Sequence, residues 1–188
     1  MILTRTVAPT DLPVTVDEVK AALNVDFTDD DALIEAFIGA AVDAVEKMTG
    51  LQLMTQTWQM AFEDPATIVD LPRLPVQSVS SIIFYDSDNV SASASVSDYY
   101  LFGDDRSAWM EPKANAVWPA HYARADAITI VWVAGYESAS EVPDALRQAV
   151  KMLTCHFYEN RSAVGKAMAE VPLGVQSMIG LYRRGWVA

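Results

Sequence analysis

The sequence is poor in the residues from which most active sites are built. Among 188 residues there is one cysteine, Cys155, and there are two histidines, His121 and His156. A single cysteine excludes an internal disulfide framework and a cysteine-based zinc site. The eight glycines form no glycine-rich phosphate loop, and no Gly-x-Ser-x-Gly elbow occurs. No apolar run reaches the length of a membrane span. The opening "MILTRTVAPTDLP" is too short in its apolar run, and too polar, to read as a signal peptide. Positive charge is scarce as well: 13 lysines and arginines face 25 acids, for a net charge of −12.

That charge is unevenly placed. Residues 1–50 hold ten acids and three bases, and residues 51–150 hold thirteen and five. Residues 151–188 reverse the balance, with two acids and five bases. An acidic body disfavours sequence-independent binding to phosphates, and a basic tail suits docking onto an acidic surface. Hydrophobic residues make up 52% of the chain and charged residues 20%, enough to bury a substantial core.

Residues 1–13 read as an extended arm, because Pro9 and Pro13 exclude a stable helix. "TVDEVKAALN" follows, with Thr15 and Glu18 spaced as a capping box. "FTDDDALIEAFIGAAVDAVEKMTG" is the strongest helix signal. Leu33, Ile34, Phe37, Ile38, Ala41, Val45 and Met48 recur at helical spacing, Thr28 or Asp29 is placed to cap, and Gly50 ends the run. The aspartates at its start favour the positive end of the helix dipole; they lack the loop glycine and alternating ligands of a calcium loop.

The middle reads as strands: "TWQMAFE", "ATIVD" and "SVSSIIFYD" on either side of Pro72 and Pro75, Tyr99 to Phe102, "SAWMEP", and Ala127 to Ala134. The Ser/Ala-rich stretch at 91–97 reads as a loop or weak edge. A last long helix starts at Pro143, with Leu146, Val150, Leu153 and Phe157 on one stripe and Arg147, Gln148, Lys151 and Glu159 facing away. Pro172 can start a short helix carrying Val175, Met178, Ile179 and Tyr182. The fold class expected is therefore α+β: a helical frame of two longer helices plus short helices, with an inserted small antiparallel β-sheet or barrel-like region.

"HFYENRSAV", residues 156–164, is the densest cluster of reactive types. His156 and Glu159 lie three apart and share a helix face, but a metal needs further ligands, and the other histidine is in a loop. The simpler reading is a half-buried histidine at a helix flank, with Glu159 paired to Arg161 or a lysine. Cys155 and His156, adjacent on a helix, point about 100° apart, which is poor geometry for a catalytic pair. Trp58, Trp109, Trp118 and Trp132 lie on or beside strands, where packing is the ordinary use. No catalytic residue, metal or cofactor is expected. A cytosolic enzyme with a cryptic site in the β region, and a solitary module that docks a peptide at a sheet edge, remain open alternatives.

Several stretches in order carry a family resemblance: "VTVDEVKAALNVDFTDDDALIEAFIGAAVDAVEKMTG", "LMTQTW", "LPRLPVQSVSSIIFYD", "VWVAGY" and "LTCHFYENRSAV…VPLGVQSMIGLYR". Together, over roughly residues 14–184, the chain resembles the tailed-phage head–tail connector (adaptor, or head-completion) family. The resemblance implies one connector domain over 1–188, with N-terminal helices in 14–50, a β region in 57–134, a second long helix in 143–164 and a C-terminal tail in 165–188. It implies a structural virion protein, not an enzyme, at the head–tail interface, present in the host cytoplasm during assembly. Its implied partners are copies of itself in a ring, typically a dodecamer, the portal protein, the tail-joining (stopper) protein, and genome DNA passing through the channel without sequence-specific binding. No membrane is implied. The tail residues Leu173, Val175, Ile179, Leu181, Tyr182, Arg183, Arg184 and Trp186 combine apolar and basic side chains with little chain left to cover them. They are the expected portal contact.

Overall fold

The computed structural model describes residues 1–161 and 172–183. The chain divides into two compact units: Met1–Pro9 with Thr55–Tyr136, and Thr10–Met54 with Glu137–Ala188.

The first unit is made of strands. A five-stranded antiparallel sheet contains β1 (Ile2–Val7), β2 (Gln56–Phe62), β4 (Val76–Tyr85), β5 (Ser91–Ala94) and β8 (Ile128–Ala134), in the order β1-β2-β8-β4-β5. A smaller antiparallel sheet orders β3 (Val69–Asp70), β7 (Ala108–Pro112) and β6 (Tyr99–Gly103) as β3-β7-β6. The central strand β8 shows why the sequence folds this way. Ile128, Ile130, Trp132 and Ala134 alternate with half-exposed Thr129, Val131 and Val133, the period of two that turns every second side chain to one face. Trp132 is fully buried and its indole N–H donates to the Arg73 carbonyl at 3.4 Å. Two separate open sheets replace the barrel-like alternative, because β1 and β5 end the larger sheet without meeting.

The arm expected at residues 1–13 is extended, and its first half is ordered by pairing as β1 along β2. The Ser/Ala stretch forms the edge strand β5. Gly103 closes the β6–β7 hairpin; a Cβ there would fall 2.6 Å from the Ser107 carbonyl oxygen.

The second unit is helical: α1 (Val16–Leu23), α2 (Asp31–Thr49), α3 (Asp144–Glu159) and α4 (Leu173–Gly180). Thr15 and Glu18 form the expected capping box on α1. Gly50 ends α2 in the left-handed region at φ 81°, where a Cβ would be strained. Beyond it, buried Glu46 accepts the Leu53 backbone N–H at 2.8 Å, which fixes the chain as it leaves the helix. α2 and α3 pack together through Ile34, Ile38, Ala41 and Val45 on one side and Leu146, Ala149, Val150 and Leu153 on the other, all at most 2% exposed. The mixed α+β class is as expected, with four α-helices and antiparallel sheets among the described residues.

Candidate functional site

In the helical unit, several ionisable side chains hold the helices together. Glu18 of α1 receives Arg147 at 2.9 Å and Lys151 at 2.8 Å, both from α3. Its other oxygen closes the capping box by accepting the Thr15 backbone N–H at 2.9 Å. The Lys151 bond first, then the Thr15 N–H, holds the Glu18 carboxyl below its ordinary range. Arg147 also donates to the Pro13 carbonyl at 3.1 Å. The two α3 side chains expected to face away thus converge on α1 and stay half-buried.

The "HFYENRSAV" segment has a similar structural explanation. Tyr158 Oη and Arg161 both donate to Asp30 Oδ2, each at 2.6 Å. The Tyr158 hydroxyl, then Arg161, depresses the Asp30 carboxyl, and the same bond raises the Tyr158 phenol. Arg161 therefore pairs with Asp30 and not with Glu159. Asp30 is also the residue that starts α2, in place of the expected Thr28 or Asp29, yet its side chain makes no capping bond because α3 has claimed it. His156 is half-buried and its Nδ1 faces the Asn160 amide at 3.3 Å. Desolvation, then the nearby Glu159, pushes the Cys155 thiol up, away from the thiolate a nucleophile requires. His121 lies in the strand unit and meets exposed Asp64 at 3.4 Å. Among the described residues no three His, Cys, Asp or Glu side chains gather to hold a metal, and no helix is long and apolar enough to cross a membrane.

The tail divides into two classes. Val175 and Ile179 are fully buried, because α4 packs on α3 and on α2 within the helical unit. Gly174 permits the close approach: a Cβ there would meet the Met152 methyl at 3.0 Å. Leu173 and Leu181 instead stand 78% and 81% exposed. Tyr182 is half-buried and Arg183 exposed. Arg184 and Trp186 lie outside the described residues. The eight expected contact residues are thus two anchors turned inward, four described residues at or near the surface, and two further along the chain.

A second cluster of exposed apolar side chains escaped the sequence reading. Tyr100, Leu101 and Phe102 on β6 are about 40% exposed. Tyr100 and Phe102 lie 5.5 Å apart, and Phe102 stacks on Trp109 at 5.7 Å. Lys113 sits 5.2 Å over the Tyr100 ring. The alternation "YYLF" gave no apolar-polar contrast by which to assign a face.

The comparisons agree with this picture of a chain built for packing and contact. Residues 13–102 match the family described as phage gp6-like head-tail connector protein. No curated protein matches the chain. Among solved structures, a chain in the virion of a native gene transfer agent (GTA) particle is similar, with TM-score 0.83 and 26% identity, covering 100% of this chain and 98% of that one. A chain from the neck of a native GTA particle computed with C12 symmetry gives TM-score 0.80 and 27% identity at the same coverage. A chain from the neck of an empty GTA particle computed with C6 symmetry shares the fold, with TM-score 0.84 and 23% identity. The chain is thus similar to the phage head–tail connector family over residues 13–102 and, over its whole length, to chains of a GTA virion and neck, a likeness to structural proteins of the virion at the head–tail interface.

Proposed function

We propose that the whole chain acts as one connector domain, and that copies of it form a ring beneath the portal, joining the DNA-filled head to the tail. The observation that carries this reading is the likeness, at 26% and 27% identity over nearly the full length, to chains of a virion and of a neck computed with C12 symmetry. A dodecamer follows from that symmetry if this chain assembles as its relative does. The stopper protein would bind the opposite side of the ring, and DNA would pass through the centre.

The portal contact proposed for the tail now rests on its exposed members. Leu173 at the start of α4 and Leu181, Tyr182 and Arg183 just past its end offer apolar and cationic groups, and Arg184 and Trp186 extend that composition in sequence. Val175 and Ile179 serve as the anchors that set α4 on the helical unit. The cationic end favours an acidic portal surface. The net charge of −12 supports a channel wall to which DNA does not adhere, since like charges repel across a short gap. Electron microscopy of the purified chain, alone and with portal protein, tests the reading: a ring seated on one face of the portal is expected, and a chain that neither forms rings nor binds portal contradicts it.

A further inference from the structure

The larger sheet ends in two open edges, and the two edges match each other. Among the described residues β1 pairs only with β2 and β5 only with β4. An open edge presents unpaired backbone N–H and C=O groups and is a template for another strand. Natural edges are commonly blunted by lysine, proline, a bulge or a covering segment. β5, Ser91-Ala92-Ser93-Ala94, carries none of these, and no loop hydrogen bond among the described residues reaches it. On β1 the irregularity falls between Arg5 and Val7, so Ile2–Arg5 stays regular for four residues, the length of β5. The Arg5 guanidinium reaches Gln56 Oε1 at 3.3 Å and stays exposed, a single cation beside this edge.

The groups that face outward on β5 can be identified. The Asp86 N–H donates to the Val90 carbonyl at 2.9 Å, closing the β4–β5 turn. Hydrogen-bonded and non-bonded pairs alternate along an antiparallel ladder. With Phe84 opposite Ala92 and Ile82 opposite Ala94, Ala92 and Ala94 bond to β4, and Ser91 and Ser93 turn their N–H and C=O groups outward. Charge complements this geometry. Residues 1–10 carry one base, Arg5, and no acid. Residues 86–98 carry Asp86, Asp88 and Asp98 and no base, and Arg124, which reaches Asn89 at 3.0 Å, is ion-paired with Asp126. Ile2 and Val7 on one edge and Val90 beside the other are each more than half exposed, so apolar surface is available to both partners.

We propose that copies of the chain join head to tail, with β1 of one copy adding as a strand to β5 of the next. Two different edges at opposite ends of one sheet make a heterologous contact, the kind that closes into a ring when the rotation between copies allows. The inference rests on the ring proposed above and names the contact that would build it.

Ser93→Pro tests it. Proline removes one outward N–H and is tolerated on an outer edge, so the β4–β5 ladder should persist and the circular dichroism and Tm should stay close to those of the parent. In sedimentation of the full chain, from micromolar upward, the parent should form oligomers, and Ser93→Pro should associate roughly 10- to 100-fold more weakly, as expected when a hydrogen bond is lost and its partner left unpaired. A scan guards against misfolding of the proline variant: Ser93→Cys is combined with single cysteines at positions 2 to 5, in a Cys155→Ser background. At least one pair should yield a ladder of disulfide-linked copies under mild oxidation. Rings of folded Ser93→Pro as stable as the parent's would overturn the strand pairing and leave the ring intact, as would a scan that cross-links nowhere in assembled rings. A parent chain that stays monomeric at every concentration, alone and with portal, would overturn both.

Discussion

Glu18 joins three roles in one carboxylate: it closes the α1 capping box and receives Arg147 and Lys151 from α3. Glu18→Gln keeps the cap geometry, because a Gln amide oxygen also accepts the Thr15 N–H, but it removes the charge. The variant should lose about 1–2 kcal/mol, the low end for hydrogen bonds to charged groups because Glu18 is partly exposed, as read by urea unfolding at pH 7. The sign of the pH dependence follows from the depressed carboxyls of Glu18 and Asp30. Their stabilisation is present above the ordinary carboxylate range and is lost as pH falls through that range, below about pH 4. Urea unfolding of the parent at pH 3 should therefore show a lower midpoint than at pH 7, and Glu18→Gln should show a smaller drop. An equal drop would assign the acid sensitivity to other carboxylates. The capping box was legible because both partners lie three residues apart. The role of Asp30 was not, because its partners Tyr158 and Arg161 follow more than 120 residues later, and the helix dipole draws acids to a start without saying which one another helix will take.

Elements whose pattern is local were readable, and those defined by a distant partner were not. The α3 stripe gave Leu146, Val150 and Leu153, and all three are buried. Leu153→Ala should cost about 2–5 kcal/mol through lost burial and a residual cavity, measured by denaturant unfolding; a loss under 1 kcal/mol would contradict its place in the α2–α3 core. The apolar, β-branched run from Ala127 to Ala134 placed β8 as a strand. It did not reveal that the strands divide between two sheets, because strand order depends on pairings far apart in sequence. The α4 periodicity showed an apolar side with Val175 and Ile179, but could not say whether a partner or the chain's own α2 and α3 would cover it. That distinction now sharpens the tail prediction. Leu181→Ser with Arg183→Ser leaves both anchors in place, so the Tm should hold while portal binding weakens about tenfold or more, as for exposed interface anchors. Unchanged affinity in a pull-down or calorimetric titration would move the contact to another surface, with the Tyr100–Phe102–Trp109 face as the next to mutate.

At the scale of the molecule, charge and assembly carry the account. If the proposed ring surrounds DNA, its acidic chain should not hold it: the purified oligomer should show no tight DNA binding by gel shift near 0.15 M salt, and the little binding seen at low salt should fall steeply as salt rises. Tight binding at physiological salt would contradict a sliding channel. The family resemblance was legible from motifs in sequence order, from "TQTW" to "HFYENR", while the assignment of edges and faces needed coordinates, since pairing partners and burial are three-dimensional facts. The most direct measurement is a cryo-electron microscopy reconstruction of the particle neck that contains this chain. The account predicts a closed ring of this fold between portal and tail, twelvefold like the C12-computed neck, with the end of α4 toward the portal. A particle in which the chain is absent from the neck, or lies there as single copies outside any ring, would contradict it.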